Sequence, residues 1–560
     1  MKCFGLLFWA ALIALLANPS ESQGTTTCGP RMRKSWLALS SSEQKLYKDA
    51  IASSMDSGAY IKFVEMHTEM MSEMEAHRQC MFVYWHRLLL LAFENMLRGQ
   101  GTKYACIAVP YWDWVSDYNR FVNGECSNML DCSFALQALG GVSGTRQKRL
   151  QINGQWTYGV CMATSPLDHF CQASNLSGSM CAKCVTRGLW RSARFPASAS
   201  YASVKNQLFS ATNIAEMSGA IENGAHNSIH SNLAGAMETF ASPSDPIFWS
   251  HHAMVDLLHT IFHKCRVGTK KMTLEEKASN PVGWNSCERR NGGKFNPLDQ
   301  VTMRTGLFGS NPVAGRNDRI IGKFFNGLPT QFAALMDHND VGSSSYSYLY
   351  QGLLGEMYAN CGKPETTADS STTADNTQPE AATRRRRLDA LTEAIDAASA
   401  VFNSSTPAQD TTTNVASGEL VLVTLNAATS TTAAKSNSLS ITDSSGSSVL
   451  LVAAVNTTLE SSAQSVNSFT VSINDQLVAQ VGNNAMMVIS EQEKMSCMFQ
   501  EVCLGGVKDY SETFKKNFRV TKPPRCMTIV EKIRCRKDSI ALSDWQETMV
   551  KTFGCPIPAK

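Results

Sequence analysis

The hydrophobic residues of the first hundred positions recur at a helical spacing. The segment SSEQKLYKDAIASSM opens with serines followed by a glutamate, which is typical of a helix start, and residues 60–98 are nearly free of Gly and Pro. We therefore predict two or three helices between residues 40 and 98.

A different pattern occupies residues 418–490. The segments GELVLVTL, SSVLLVAAV and NSFTVSIND alternate hydrophobic and polar positions, and clusters of Ser, Thr and Asn separate them. Such alternation predicts strands, so we expect a small β module over these residues. Residues 388–403 have a helical pattern, whereas the cysteine-containing tail at 491–560 has no pattern that assigns a structure.

The N-terminal residues 1–22 combine Lys2, the apolar run FGLLFWAALIALLA and a polar end. This is the arrangement of a secretory signal peptide. No later apolar run approaches the roughly eighteen residues that span a bilayer, and the longest candidate covers only residues 449–455. We expect a secreted, extracellular protein without a membrane segment.

Residues 363–417 are rich in Ser and Thr and poor in apolar side chains, which predicts a disordered linker. Four consecutive arginines interrupt it: Arg384, Arg385, Arg386 and Arg387. A basic run is usually a solvated patch. Within a flexible linker of an exported chain it is also a candidate site for a processing protease.

Charge and cysteine content narrow the environment of the protein. The net charge of +3 over 560 residues gives no reason to expect a polyanionic partner and argues against nucleic acid. Of the 18 cysteines, 17 remain once Cys3 leaves with the signal peptide. Several disulfides and at least one unpaired thiol are expected. In the loop-like stretch 124–188 we favour disulfides over zinc for Cys181 and Cys184, because no second CxxC follows at zinc-finger spacing.

Histidines provide the candidate chemistry. In ENGAHNSIH, His226 and His230 stand four apart, so on a helix both rings can reach one metal ion. Further on, His252 precedes Asp256 by four positions, a spacing that would let the carboxylate orient a neighbouring ligand. An isolated pair of this kind is as often two surface histidines, but a second histidine cluster lies upstream.

The upstream cluster contains His77 and His86 in HRQCMFVYWHRLLLLAFE, which ends at Glu94. The pattern H-x4-F-x2-W-H-R-x6-E, followed by H-N-x2-H and by D-P-x-F-W-x-H-H-x3-D, resembles the two copper signatures of the tyrosinase family. That family also includes catechol oxidases and molluscan haemocyanins. The resemblance covers roughly residues 35–360.

The resemblance implies a mainly α fold, a helical bundle at residues 23–362 that holds a binuclear copper site and is followed by the linker and the smaller β module. Two copper ions would each take three histidines. The second copper would be held by His226, His230 and His252. His251 would be a close neighbour and not a ligand.

The first copper would be held by His77, His86 and one upstream histidine. His67, in the apolar context FVEMH, is the only histidine before His77 and therefore receives this assignment. Ten residues along one straight helix would turn the two rings about 80 degrees apart. We therefore predict a break between His67 and His77.

The resemblance also implies an activity. Two copper ions would use O2 to hydroxylate small monophenols, to oxidise o-diphenols to o-quinones, or both. Asn227 and Glu222 match the pair that holds a phenol-deprotonating water in phenol-hydroxylating members, and a phenol with a pKa of about 10 needs such a base near neutrality. An all-imidazole set without an HExxH motif argues against a zinc hydrolase.

Alternatives to this function stay open. One is a catechol oxidase that acts only on diphenols, and another is an oxygen carrier like haemocyanin, although those chains repeat the copper unit and this chain has a single copy. A third is an inactive relative, which the intact histidine set disfavours.

The sequence departs from the family pattern at two points. Tyr84 stands where many members have proline, and no cysteine lies two residues before His77 to form a Cys-His thioether. Cys80 is therefore expected to be buried or disulfide-bonded. The module at 418–490 is expected either to cover the copper entrance until the linker is cut or to act as a spacer.

Overall fold

The computed structural model describes residues 28–141, 144–293, 295–363 and 457–556, together with four short strands between residues 413 and 451. The signal peptide predicted at 1–22, the arginine run that starts at Arg384 and the helix predicted over 388–403 lie outside these residues. Helices dominate the described part of the chain, as the mainly α prediction requires.

The first region, residues 28–363, is built mostly from helices. They are α1 (Ser41–Asp56), α2 (Ala59–Thr68), α3 (Met70–Ala76), α4 (Phe82–Arg98), α5 (Trp114–Val122), α6 (Met129–Cys132), α7 (Phe134–Ala138), α8 (Tyr201–Phe209), α9 (Ile214–Ile221), α10 (Asn227–Leu233), α11 (Ile247–Arg266), α12 (Leu274–Ala278), α13 (Pro281–Trp284) and α14 (Gly352–Asn360).

The predicted start of α1 is confirmed by its cap. The Ser40 side chain accepts a hydrogen bond from the Glu43 backbone N–H, and the Glu43 carboxylate accepts one from the Ser40 N–H. These reciprocal bonds satisfy two of the backbone donors that a helix start leaves unpaired. The core lies further along the chain, where almost every side chain of α4 and α11 is buried as these two helices pack together.

A buried ionic network ties this core to the N-terminal residues. The Asp256 carboxylate, on α11, accepts hydrogen bonds from Arg33, Arg87, Tyr346 and Tyr348 at 2.5 to 3.1 Å. The prediction that Asp256 orients a metal-ligating histidine is therefore wrong, because these four donors occupy both carboxylate oxygens.

The strands are short except for β2 and β3. Those of the first region are β1 (Arg31–Arg33), β2 (Gly144–Ile152), β3 (Gln155–Met162), β4 (Val185–Arg187), β5 (Arg304–Thr305), β6 (Val313–Ala314) and β7 (Tyr346–Tyr348). β1 pairs in parallel with β7, whereas β2, β3 and β4 form an antiparallel sheet in that order.

The β2–β3 hairpin lies where the sequence predicted a loop-like stretch, so that prediction is wrong for residues 144–162. Asn153 and Gly154 form its turn, and both have positive φ angles of 41° and 83°. An Asn-Gly pair between alternating residues is a strong hairpin signal, because two-residue turns of this kind need positive φ at both positions.

Disulfides agree with the predicted oxidising environment. They join Cys28 to Cys106, Cys80 to Cys287, Cys126 to Cys132, Cys161 to Cys184, Cys171 to Cys181, Cys265 to Cys361, Cys497 to Cys526 and Cys503 to Cys555. Cys181 and Cys184 thus belong to separate disulfides, and Cys80 is bonded as expected. Cys535 is the unpaired, exposed thiol of the described residues.

The C-terminal region begins with strands and continues as helices. Strands β8 (Thr413–Asn414), β9 (Leu420–Leu425), β10 (Leu439–Thr442) and β11 (Ser448–Leu451) form one sheet. The helices are α15 (Thr457–Val481), α16 (Ala485–Cys503), α17 (Glu512–Phe518), α18 (Arg525–Arg534) and α19 (Trp545–Phe553).

The predicted β module at 418–490 is therefore wrong from Thr457 onward. Its segment NSFTVSIND lies inside α15, where Val466, Thr470, Ile473 and Leu477 are buried. These positions are separated by three or four residues, which is the helical spacing, and contact with the first region selects it over the strand alternation that the same letters allow.

Among the described residues, no helix has both the length and the apolar composition needed to cross a bilayer.

Candidate metal centre

The first histidine cluster is assembled by three helices. His67 lies in the last turn of α2, His77 is the residue that ends α3, and His86 lies in α4. The predicted break is confirmed, because α2 ends at Thr68 and α3 starts at Met70. The ring centroids of the three histidines are 4.9 to 5.7 Å apart.

The second cluster depends on an irregular turn between α9 and α10. Residues 222–226 form a π-type turn that ends at His226, and His230 follows on α10. Gly224 permits this turn to approach α8, because a Cβ there would lie 2.1 Å from the Gln207 side-chain oxygen. Turns of this type are frequent at functional sites, and here the turn brings His226 and His230 to 4.5 Å between ring centroids.

Two adjacent histidines of α11 complete the second cluster. His251 and His252 lie 5.0 to 5.7 Å from His226 and His230 between ring centroids. His252 also stacks on His86 of the first cluster at 4.1 Å. The two clusters are therefore neighbours that form one centre.

Hydrogen bonds fix the ring orientations of four histidines. The Nδ1 atoms of His67, His86 and His230 lie 2.6 to 2.8 Å from the backbone oxygens of Phe240, Phe82 and Met237. The Nδ1 atom of His226 lies 2.9 Å from the Asn227 side-chain oxygen. A ring whose Nδ1–H donates to an oxygen keeps a lone pair on Nε2, the arrangement that metal-ligating histidines use.

The opposite nitrogens of these rings are buried and have no hydrogen-bond partner. This holds for Nε2 of His67, His86, His226 and His230 and for both ring nitrogens of His251 and His252. Within each cluster the potential ligand atoms all lie within 4.8 Å of one another. Unpartnered buried nitrogens are costly, and a cation between them would satisfy them.

Burial also keeps the imidazoles uncharged. It lowers the pKa of His67 to about 4 and that of His230 to about 3, and it holds the pKa values of His77, His86, His226, His251 and His252 well below the usual range. A neutral imidazole is the form that binds a metal, so the set is ready for a first-row transition metal at neutral pH.

The two predicted base residues flank His226 in the chain: Glu222 begins the π-type turn that ends at His226, and Asn227 follows it. The Glu222 carboxylate is buried and accepts hydrogen bonds from the Arg78 backbone N–H at 2.7 and 2.9 Å. Burial raises the pKa of Glu222 to about 8. Asn227 is buried beside His226, to which its side-chain oxygen is bonded.

Helix α17, in the C-terminal tail for which the sequence predicts no structure, covers the centre. The Phe518 ring, at the end of α17, lies 5.4 Å from His77 and 6.0 Å from His230 between ring centroids. It also packs on Phe240 at 4.6 Å. We call α17 the cover helix. Its sequence signal is modest: Ser511 caps the helix, and Phe514 and Phe518 stand four apart on one face.

Two hydrogen-bonded residues dock the cover helix on the first region. The Ser511 N–H donates to the Ser231 hydroxyl at 2.8 Å, and the Ser511 hydroxyl donates to the Glu238 carboxylate at 2.5 Å. At the other end, the Asn517 side chain donates to the Glu238 backbone oxygen at 3.1 Å. The cover is therefore attached by specific polar contacts as well as by Phe518.

Comparison with known proteins agrees with these clusters. Residues 57–264, which contain every histidine named above, match the family profile described as the common central domain of tyrosinase. These residues form a tyrosinase-family domain. It is 29% identical over 242 residues to a tyrosinase of Streptomyces lincolnensis, covering 40% of this chain and 80% of that protein. It is 25% identical over 266 residues to a tyrosinase of Aspergillus flavus, covering 44% and 68%.

Solved structures similar to this chain include a polyphenol oxidase variant from Thermothelomyces thermophila, with 18% identity, a TM-score of 0.37 and coverage of 57% of this chain and 89% of that one. Another is a latent aurone synthase, a polyphenol oxidase, with 15% identity, a TM-score of 0.33 and coverage of 63% and 64%. Proteins of the tyrosinase family are copper-dependent oxidoreductases that act on phenols with O2, and the two histidine clusters are consistent with their binuclear copper site.

Proposed function

We propose that this chain is a copper oxidase that uses O2 to hydroxylate monophenols and to oxidise o-diphenols to o-quinones. The observation that carries the proposal is the pair of buried histidine clusters, whose unpartnered nitrogens converge within 4.8 Å in each cluster. One copper ion would be held by His67, His77 and His86, and the other by His226, His230 and His252. Copper held there supplies the redox chemistry with O2.

The choice of His252 over His251 as a ligand rests on their surroundings. His252 stacks on His86 and therefore lies between the two clusters. His251 lies instead toward Trp112 and Trp114, at 6.3 and 6.4 Å between ring centroids. We therefore assign His251 to packing behind the second copper position.

The residues of the chain also provide for proton transfer. The Glu222 carboxylate accepts two hydrogen bonds from the Arg78 backbone N–H, and burial raises its pKa to about 8, so it binds a proton more strongly than an ordinary glutamate does. We propose that Glu222 and Asn227 hold the water that removes the phenolic proton. A catechol oxidase that acts on diphenols only would not need this base.

The C-terminal region is proposed to keep the enzyme closed until processing. Phe518 occupies space directly beside His77 and His230, where a phenol ring would have to approach. We therefore propose the cover helix, which follows the module predicted at 418–490, as the cover of the centre. Protease cleavage in the arginine run at Arg384 to Arg387 is proposed as the first step of opening, in a chain secreted with its disulfides formed.

The test is metal content combined with turnover of two substrates. We expect about two copper ions per chain, oxidation of a catechol and slower hydroxylation of a monophenol. Catechol oxidation alone would restrict the function to a catechol oxidase. Copper and reversible O2 uptake without turnover would make the chain a carrier, and a chain that takes up no copper would contradict the proposal.

A further inference from the structure

An exposed aromatic surface lies on the β2–β3 hairpin. Trp156 and Tyr158 occupy alternate positions of β3 and are 51% and 59% exposed. Residues two apart on a strand point to the same face, about 7 Å from each other. Their rings therefore form a row on the outer face of the hairpin.

Polar side chains line the same face across the strand pair. Gln151 is paired with Trp156, and Arg149 with Tyr158. The Arg149 guanidinium lies 4.2 Å from the centre of the Trp156 ring. The face thus combines two rings with an amide and a guanidinium in a fixed register.

Phe308 extends this surface around the hairpin turn. Its ring packs on Gly154, where an added Cβ would lie 2.3 Å from the ring, and it is nevertheless 68% exposed. The turn is anchored because the Asn153 side chain bonds the Phe308 N–H and the Thr68 hydroxyl. These bonds fix the position of the turn before any partner binds, which reduces the entropy cost of binding.

The charged residues of the hairpin are all basic. Residues 144–162 contain Arg146, Lys148 and Arg149, all exposed, and no acidic residue. The net charge of +3 for the whole chain conceals this local concentration. A contiguous exposed aromatic patch is a common mark of a binding site, and basic surroundings favour an anionic partner.

We propose that this platform, formed by Arg149, Gln151, Trp156, Tyr158 and Phe308, binds an acidic polysaccharide. The flat C–H face of a sugar ring packs on an aromatic ring, its hydroxyls pair with amides such as that of Gln151, and its carboxylate or sulfate pairs with Arg149. An acidic peptide would share the charge contact but would not use a row of flat rings without pockets. The platform would hold the enzyme on an acidic matrix while the copper centre acts.

The experiment measures binding of the intact chain to polygalacturonate, with neutral dextran and polyglutamate as parallel polymers. We expect binding to polygalacturonate that weakens as salt rises and little retention on the other two. Trp156→Ala and Arg149→Gln should each weaken binding by about tenfold, a loss equivalent to about 1.4 kcal/mol, whereas Trp156→Phe should retain most of it.

Matched controls separate the platform from general charge and apolarity. Leu298→Ala removes an exposed apolar side chain and Lys270→Gln an exposed charge elsewhere, and both should bind as the parent does. Copper content and melting temperature should not change in any variant. Equal binding to polyglutamate, insensitivity to Trp156→Ala, or no binding to polygalacturonate would each overturn the proposal.

Discussion

The region that builds the histidine centre and the region that covers it are each cross-linked internally, but they are joined to each other by different means. In residues 28–363, buried charges such as Arg33, Arg87 and Asp256 and six disulfides fix the core. Residues 457–556 contain two disulfides of their own. None of the eight disulfides of the described residues joins one region to the other.

Contact between the regions is therefore noncovalent wherever the structure describes it. The Glu493 carboxylate of α16 is buried and accepts hydrogen bonds from Ser203 and Asn206 of α8, while Arg525 pairs with it from α18. The Arg194 side chain donates to the Leu504 backbone oxygen at 2.7 Å. A permanent centre is thus combined with a cover that can leave without breaking a covalent bond in these contacts.

The largest effect on activity is expected from removing a proposed copper ligand of the first region, residues 28–363. His230→Ala deletes the Nε2 atom that faces His226 and the bond from Nδ1 to the Met237 oxygen. The variant should lose one copper ion per chain and all measurable catechol oxidation, as metal analysis and an oxygen electrode would show.

Two histidine variants act as controls for that prediction. His169→Ala removes a surface histidine that pairs with Asp56, and it should keep both copper ions. His251→Ala should keep more copper than His252→Ala. If His251→Ala lost copper and His252→Ala did not, the assignment of these neighbours would be reversed.

The next effect concerns the base. Glu222→Gln keeps the size and the contact with the Arg78 N–H but cannot take a proton at neutral pH, so monophenol hydroxylation should fall by about 10² to 10⁴-fold. Catechol oxidation should change far less. Initial rates on both substrates measure the ratio, with Glu288→Gln, on the surface near Glu222, as the matched control. Equal losses on the two substrates would refute the role of Glu222.

A substitution in the cover helix is expected to have a smaller effect, and it should raise activity where the previous variants lower it. Phe518→Ala removes the ring that packs on His77 and Phe240, and deleting a buried phenylalanine ring typically costs about 3 to 5 kcal/mol. Docking of the cover helix should weaken, and catechol oxidation by the uncut chain should rise by about tenfold. Lys516→Ala, an exposed change in the same helix, should leave the rate unaltered. A rate unchanged by Phe518→Ala would mean that this ring does not obstruct the substrate.

The last prediction concerns stability and not activity: it is the pH dependence of unfolding of the first region. Burial raises the pKa of Asp117, bonded to the Trp112 indole N–H at 2.6 Å, from 3.8 to about 7. Between these values the folded state binds the proton that the unfolded state has lost, so stability falls as pH rises from about 4 to about 7. Asp117→Asn should remove this loss in the free energy of unfolding, which is on the order of 2 to 4 kcal/mol.

Urea unfolding of the first region at pH 5 and pH 7.5 measures the slope. The prediction involves no residue of the C-terminal helices. Probes placed there should therefore report the same pH dependence in the parent protein and in Asp117→Asn. A parent protein whose stability did not fall between these pH values would contradict the raised pKa of Asp117.

The sequence predicted the centre better than its surroundings. The four-residue spacing of His226 and His230 and the break after His67 follow from local geometry that short stretches encode. Asp256 shows the limit of such reasoning, because its four donors come from β1, α4 and β7, which are distant in the chain. Spacing alone could not distinguish a carboxylate that orients a ligand from one that holds the core.

The cover could not be predicted for a similar reason. Phe514 and Phe518 indicate an amphipathic helix, but the surface that receives them is made by Phe240 and by the centre itself. The segment NSFTVSIND is ambiguous because its apolar residues fit both a strand and a helix, and packing against α5 and α14 decides between them. Local sequence predicts a helix or a strand more readily than it predicts which part of the fold that element packs against.

The disulfide between Cys497 and Cys526 closes a loop that contains the whole cover helix, and both of its ends lie in the C-terminal region. A cut in the linker would therefore leave an intact, folded fragment still seated on the enzyme. Before cleavage the linker keeps that fragment at a high local concentration, and afterwards its grip depends on its dissociation constant. Activation would then resemble the separation of an inhibitor subunit: dilution would speed it, and adding back the purified fragment would reverse it.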